Sequence, residues 1–98
     1  MDSIDKWRKK IDEIDSELVR LLNERAKYAE EIGKIKAKLG LEAYSPEREE
    51  EIMNNITSQN SGPLSLSALR RLYERIIDES RAVERASMKD HSRSPSKS

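Results

Sequence analysis

Arg25 and Lys36 occupy slots in an otherwise apolar stripe, eleven residues apart. On a helix that separation is about three turns, so both side chains point the same way. Cations facing an interior are costly unless an anion meets them there. The chemistry they imply is the capture of a small, doubly charged anion. Four further polar residues fall at inward positions of later segments: Arg48, Glu49, Ser80 and Glu84. Arg8 joins them for a different reason. It lies beside Trp7, 17 residues before Arg25, so it is ~25 Å away along a straight helix and turned by roughly 100°. Arg8 therefore cannot line the pocket of Arg25 in its own chain, but in a dimer it can reach the partner's.

Each of these residues also has a plainer reading. An Arg or Lys at a stripe edge ordinarily extends its head to water. Arg48-Glu49 alone is a charged first turn of a helix, and Ser80 alone is a small residue that bonds back to its helix. Glu84 alone is a solvated edge. Arg8-Lys9-Lys10 and the run from Glu47 to Glu51 alone are solvated faces. It is the joint pattern that points to a site.

The elements that must position them are helices. From Ile4 to Leu39 the apolar residues step by threes and fours, through Trp7, Ile11, Ile14, Leu18, Leu22, Ala29 and Ile32, the period of a helix face. Helix 1 is expected from about Ser3 to Leu39, capped by Asp2 or Ser3 and stopped at Gly40. It would be roughly 55 Å long, whereas a compact domain of this size has a radius of gyration of only about 13 Å. The ~50 helical residues that remain cannot cover it, which predicts an obligate, interleaved homodimer. After a short connection, Leu41 to Tyr44, Ser45-Pro46 opens helix 2 as N-cap and N1 proline. Its inward face is Glu49, Ile52, Met53 and Ile56, with Arg48 at the edge and an end near Ser58. Gln59 to Leu64 reads as a loop. Ser65 or Ser67 caps helix 3, which runs to about Met88 on a stripe of Leu66, Leu69, Tyr73, Ile76, Ile77, Ser80 and Val83; Glu84 continues that face. The chain is thus read as all-α, three helices in one domain over residues 1–88, with 89–98 a disordered polar tail.

Composition excludes several function classes. With no cysteine there is no disulfide, thiolate metal site or cysteine nucleophile, which fits a cytoplasmic protein. A single histidine, His91 in the polar tail, argues against a histidine triad or zinc site. Nineteen basic residues balance nineteen acidic ones, so the basic excess of a nucleic-acid binder is missing. No apolar run is long enough to span a membrane, and the N-terminus lacks the apolar stretch expected of a signal peptide.

Taken in order, these segments resemble the all-α chorismate mutases, small intertwined dimers of three helices per subunit. The resemblance covers about residues 4–87. It is carried by Arg8-Lys9-Lys10-Ile11-Asp12-Glu13-Ile14-Asp15, Leu21-Leu22-Asn23-Glu24-Arg25, Ile32-Gly33-Lys34-Ile35-Lys36, Pro46-Glu47-Arg48-Glu49 and Ile76-Ile77-Asp78-Glu79-Ser80, with Glu84 one turn on. It implies that Arg25 binds a substrate carboxylate within its own subunit, while Arg8 crosses to the other subunit's site and binds the second carboxylate. It further implies that Lys36 donates to the ether oxygen and a carboxylate, that Arg48 helps close the site, and that Glu49 accepts from the ring hydroxyl. Ser80 would lie near a carboxylate, and Glu84 would be the second group on the ether oxygen. Some members carry Gln where this chain has Glu84, and a Glu there must be protonated to donate. Some carry Asp where this chain has Ser45, so Ser45 is given no role.

The reaction so implied is the intramolecular rearrangement of chorismate to prephenate in phenylalanine and tyrosine biosynthesis. It requires no nucleophile, metal or cofactor. Catalysis would come from holding the reactive conformer and from donors aimed at the ether oxygen as it gains charge. Two alternatives stay open. An isochorismate pyruvate lyase of the same fold needs nearly the same pocket. A non-catalytic helical dimerisation or regulatory module explains the long helix, but not Arg25 and Lys36 on its inward stripe.

Overall fold

A computed structural model describes residues 3–93, all within or between three helices: α1 (Ser3–Leu39), α2 (Pro46–Gln59) and α3 (Leu66–Arg93). The first boundary follows from local chemistry. Nothing in α1 interrupts the backbone ladder until Gly40, whose φ of 71° is the left-handed conformation that suits glycine. There Leu41 N–H donates to the Lys36 carbonyl (2.9 Å) and Gly40 N–H to the Ala37 carbonyl (3.4 Å). This paired pattern ends a helix by satisfying its last carbonyls. Ser3 is already helical, so it is not the cap, and Asp2 lies outside the described residues.

Pro46 sits in the first turn of α2, where its missing N–H is not needed. Ser45 is the N-cap, but its hydroxyl makes no capping bond. Of the two serines expected to cap α3, Ser65 does so: its Oγ accepts from Ala68 N–H at 3.0 Å. The expected end of α3 near Met88 is corrected, because the helix runs on to Arg93. The first part of the segment read as a disordered tail, residues 89–93, is therefore helical. The physical reason is that no Gly or Pro interrupts the chain before Pro95. The rest of that tail lies outside the described residues.

Helix α3 is the shared element: α1 packs on it from one side and α2 from another. Two small residues of α1, Ala29 and Gly33, are its buried positions. The crossing is close there, and the Ser87 hydroxyl of α3 donates to the Glu30 carbonyl of α1 at 2.8 Å. The buried apolar residues among those described are Ala29, Ala43 and Ile77, a thin core. By contrast, every residue of α1 from 3 to 24 is exposed. Ile4, Trp7, Ile11, Ile14 and Leu18 are each about half exposed or more. The molecule is elongated, 65 × 28 × 15 Å, with a radius of gyration of 17.7 Å.

Candidate active site

Where α1, α2 and α3 converge they enclose a recess of about 330 Å³, counting the part open to solvent. Its polar lining is Arg25 and Lys36 from α1, Ser45 from the connection, Arg48 and Glu49 from α2, and Ser80, Arg81 and Glu84 from α3. Six of the seven residues singled out in the sequence therefore meet: Arg25, Lys36, Arg48, Glu49, Ser80 and Glu84. The seventh, Arg8, does not line the recess and lies on the exposed half of α1. That agrees with the helical distance, which keeps it from Arg25 of its own chain.

The centre of the site is an ion pair. Lys36 Nζ stands 2.8 Å from Glu84 Oε1, and their side chains are only 17% and 14% exposed. The same ammonium donates to the Ala43 carbonyl at 2.8 Å. This second bond follows from the Gly40 stop, which turns the connection back over the end of α1. An ammonium has three donors, so one N–H of Lys36 remains beyond these two bonds. The Gly33 crossing brings the backbone of Glu84 against α1 and so sets the reach between the two charges.

A second pair joins α2 to α3. Arg81 donates from Nε to Glu49 Oε2 at 2.8 Å and from Nη2 to Glu49 Oε1 at 2.7 Å, a bidentate fork. Its guanidinium also lies 5.1 Å from the centre of the Tyr44 ring. The hydrogen bonding it donates to Glu49 raises the Arg81 pKa above its already high ordinary value, against the opposing effect of burial. Arg48 is mostly exposed and pairs with Glu51 at 2.7 Å, at the rim as the sequence pattern suggests.

Arg25 stands apart. It is half-buried, faces the recess, and has no ion pair among the described residues. Around the recess four cations, Arg25, Lys36, Arg48 and Arg81, face two carboxylates, Glu49 and Glu84. Cations outnumber carboxylates in the lining itself, the sign that suits an anionic ligand. Among the described residues no cluster of metal-ligating side chains is present, and no helix is long and apolar enough to cross a membrane.

Arg81 is the residue that sequence reasoning missed. A signal for it exists, since it lies four residues after buried Ile77 and three before Glu84, on the face those two define. Its partner is 32 residues away in sequence, which no local pattern reveals.

A family model described as chorismate mutase type II matches residues 7–85. A bifunctional chorismate mutase/prephenate dehydratase of Aquifex aeolicus is 43% identical over 89 residues, covering 87% of this chain and 25% of that protein. One of Neisseria gonorrhoeae is 44% identical over 78 residues, covering 80% of this chain and 21% of that protein. The chain thus spans about a quarter of the length of these curated relatives. Among solved structures, a chorismate mutase of Thermus thermophilus superposes with a TM-score of 0.83 at 37% identity, covering 86% of this chain and 96% of that one.

Proposed function

Because this chain belongs to the chorismate mutase type II family, we propose that its recess rearranges chorismate to prephenate on the route to phenylalanine and tyrosine. The observation that carries the reading is the convergence of Arg25, Lys36, Arg48 and Glu84 from three helices on one pocket whose lining holds more cations than carboxylates. The substrate is a dianion whose reaction is an internal bond exchange. A site that catalyses it needs only to fold the substrate and to stabilise the charge that develops.

Each residue then has a part. Arg25, with no ion pair among the described residues, binds one carboxylate through its planar fork, and Arg48 closes the rim. Lys36 and Glu84 stand close enough to reach a single ether oxygen together. As the C–O bond breaks, that oxygen gains negative charge, and donors already fixed there stabilise the transition state more than the ground state. Lys36 offers its third N–H. Glu84 contributes a donor in its protonated form, released from the ion pair with Lys36. Glu49 accepts from the ring hydroxyl, and Ser80 lies beside a carboxylate.

The active form in this proposal is a homodimer. The bare stripe Ile4, Trp7, Ile11, Ile14, Leu18 spans ~21 Å of helix, and a second copy provides a matching stripe in the same register. Dimerisation also brings the partner's Arg8 to the open recess, where it binds the second carboxylate. A cytoplasmic site of action, expected from the cysteine-free sequence, belongs to the same proposal.

The test is to incubate purified protein with chorismate and follow its loss together with the appearance of prephenate, with Arg25→Ala as control. Prephenate formed by the wild type and lost in the variant is the expected result. A folded dimer that leaves chorismate unchanged overturns the reading, and pyruvate released from isochorismate would replace it with the lyase.

A further inference from the structure

Among the described residues, Glu49 and Arg81 are the one charged pair of the recess that joins α2 to α3, and the fork between them is geometrically complete. We infer that Arg81 is a positioning residue that holds the Glu49 carboxylate in place as the acceptor for the substrate's ring hydroxyl, and is not itself a ligand of the dianion. The inference rests on the mutase reading of the site.

Three observations carry it. First, the fork engages both Glu49 oxygens, yet a carboxylate has about four acceptor sites. Two are left for a hydroxyl while the group is fixed in plane and direction. Second, Arg81 is itself held from three sides: by Glu49, by the Tyr44 ring beneath its guanidinium, and by Asp78 on its own helix at 3.5 Å. A cation so engaged is poorly placed to turn toward a substrate carboxylate, whereas Arg25 has no ion pair among the described residues. Third, the pair is neutral as a unit. Its removal leaves the surplus of positive charge on Arg25, Arg48 and Lys36 unchanged.

The neutrality of the pair makes the roles separable. A direct ligand of the dianion contributes whether or not Glu49 is charged. A residue acting through Glu49 contributes only while Glu49 is there to be held. The experiment is a double-mutant cycle in the full-length chain, with Arg81→Met, Glu49→Gln and the double variant assayed on chorismate after wild-type turnover is established. Helical circular dichroism and oligomer mass are checked for each.

For contacting residues of one network, single losses do not multiply. Each single variant should lower kcat/KM by about tenfold, and the double variant by little more than about tenfold. The loss should appear chiefly as a raised KM, because the acceptor loses its position in substrate binding. A purely structural defect would instead reduce kcat through the active fraction and leave KM alone. Arg81→Lys keeps the charge but not the planar fork, so it should remain impaired with Glu49 present and be neutral beside Glu49→Gln. That comparison stands even if the methionine variant folds poorly.

Losses that multiply to about a hundredfold would make Arg81 a direct ligand and overturn the inference. Full activity of Arg81→Lys would do the same, by reducing its role to charge. A folded wild type that leaves chorismate unchanged overturns the mutase reading and this inference with it. Multiplying losses in an active enzyme overturn the inference alone.

Discussion

A Cβ placed on Gly33 would stand 2.6 Å from the backbone carbonyl oxygen of Glu84 and 3.0 Å from the Ser87 Cβ. The first neighbour is backbone and cannot rotate away. Glycine at this point therefore sets the distance between α1 and α3, and with it the 2.8 Å reach from Lys36 to Glu84.

Gly33→Ala should pit two effects against each other. Alanine favours the helix by about 1 kcal/mol. Forcing apart a close crossing costs about 1–3 kcal/mol. The crossing should win, lowering the melting temperature, and kcat should fall by about tenfold as the pair of donors separates. A thermal melt with a kcat measurement checks both. A more stable variant with unchanged kcat would show that the crossing does not set the site.

Removing Arg25, which has no ion pair among the described residues, should separate stability from activity. Arg25→Leu takes a half-buried charge without an ion pair from the ligand-free protein, so the melting temperature should hold or rise. Chorismate turnover should fall by about a hundredfold or more, with a raised KM. A variant that both melts early and binds substrate normally would assign Arg25 to packing.

The Lys36–Glu84 pair yields a donor test. Glu84 can donate to an ether oxygen only with its proton in place. Glu84→Gln keeps a donor at that point without needing an added proton, so it should retain or raise kcat, whereas Glu84→Ala should lower kcat by about a hundredfold. Steady-state rates of the two variants decide it, and a Glu84→Ala variant with wild-type kcat would remove Glu84 from the role. Lys36→Met should lower kcat by about a hundredfold or more.

Two dead variants should make a live enzyme. Arg8→Ala and Arg25→Ala are each expected to lose activity while remaining dimers. After co-refolding in equal amounts, about half the dimers are mixed, and each mixed dimer holds one intact site, so about a quarter of wild-type activity should return. No recovery in mixtures shown to contain mixed dimers would mean that both arginines serve the same chain's site.

An uncovered stripe sets the last expectation. Ile11→Glu and Leu18→Glu should shift the sedimentation mass from dimer toward the 11.3 kDa chain and abolish turnover. Dimers that persist would mean that another face joins the copies.

Much of this was legible before folding. The three- and four-residue spacing of α1 led to Leu39, and Gly40 stopped it because glycine is at ease at positive φ. Ser45-Pro46 opened α2. Six polar residues on apolar faces predicted the recess, because a helix's period carries every inward residue to the same side. These are local properties of the backbone and its rotation per residue, so the order of amino acids alone determines them.

What only the tertiary structure decided are relations between helices. Arg81 reads locally as one more charge in α3, and its fork with Glu49 exists because two elements 32 residues apart in sequence meet. Gly33 reads locally as a weak point in a helix, and its use is visible only where the Glu84 carbonyl comes against it. The bond from Lys36 to the Ala43 carbonyl depends on the path of the connection after Gly40. The helical period fixes which side a residue faces, but only the packing of one helix on another determines what it meets there.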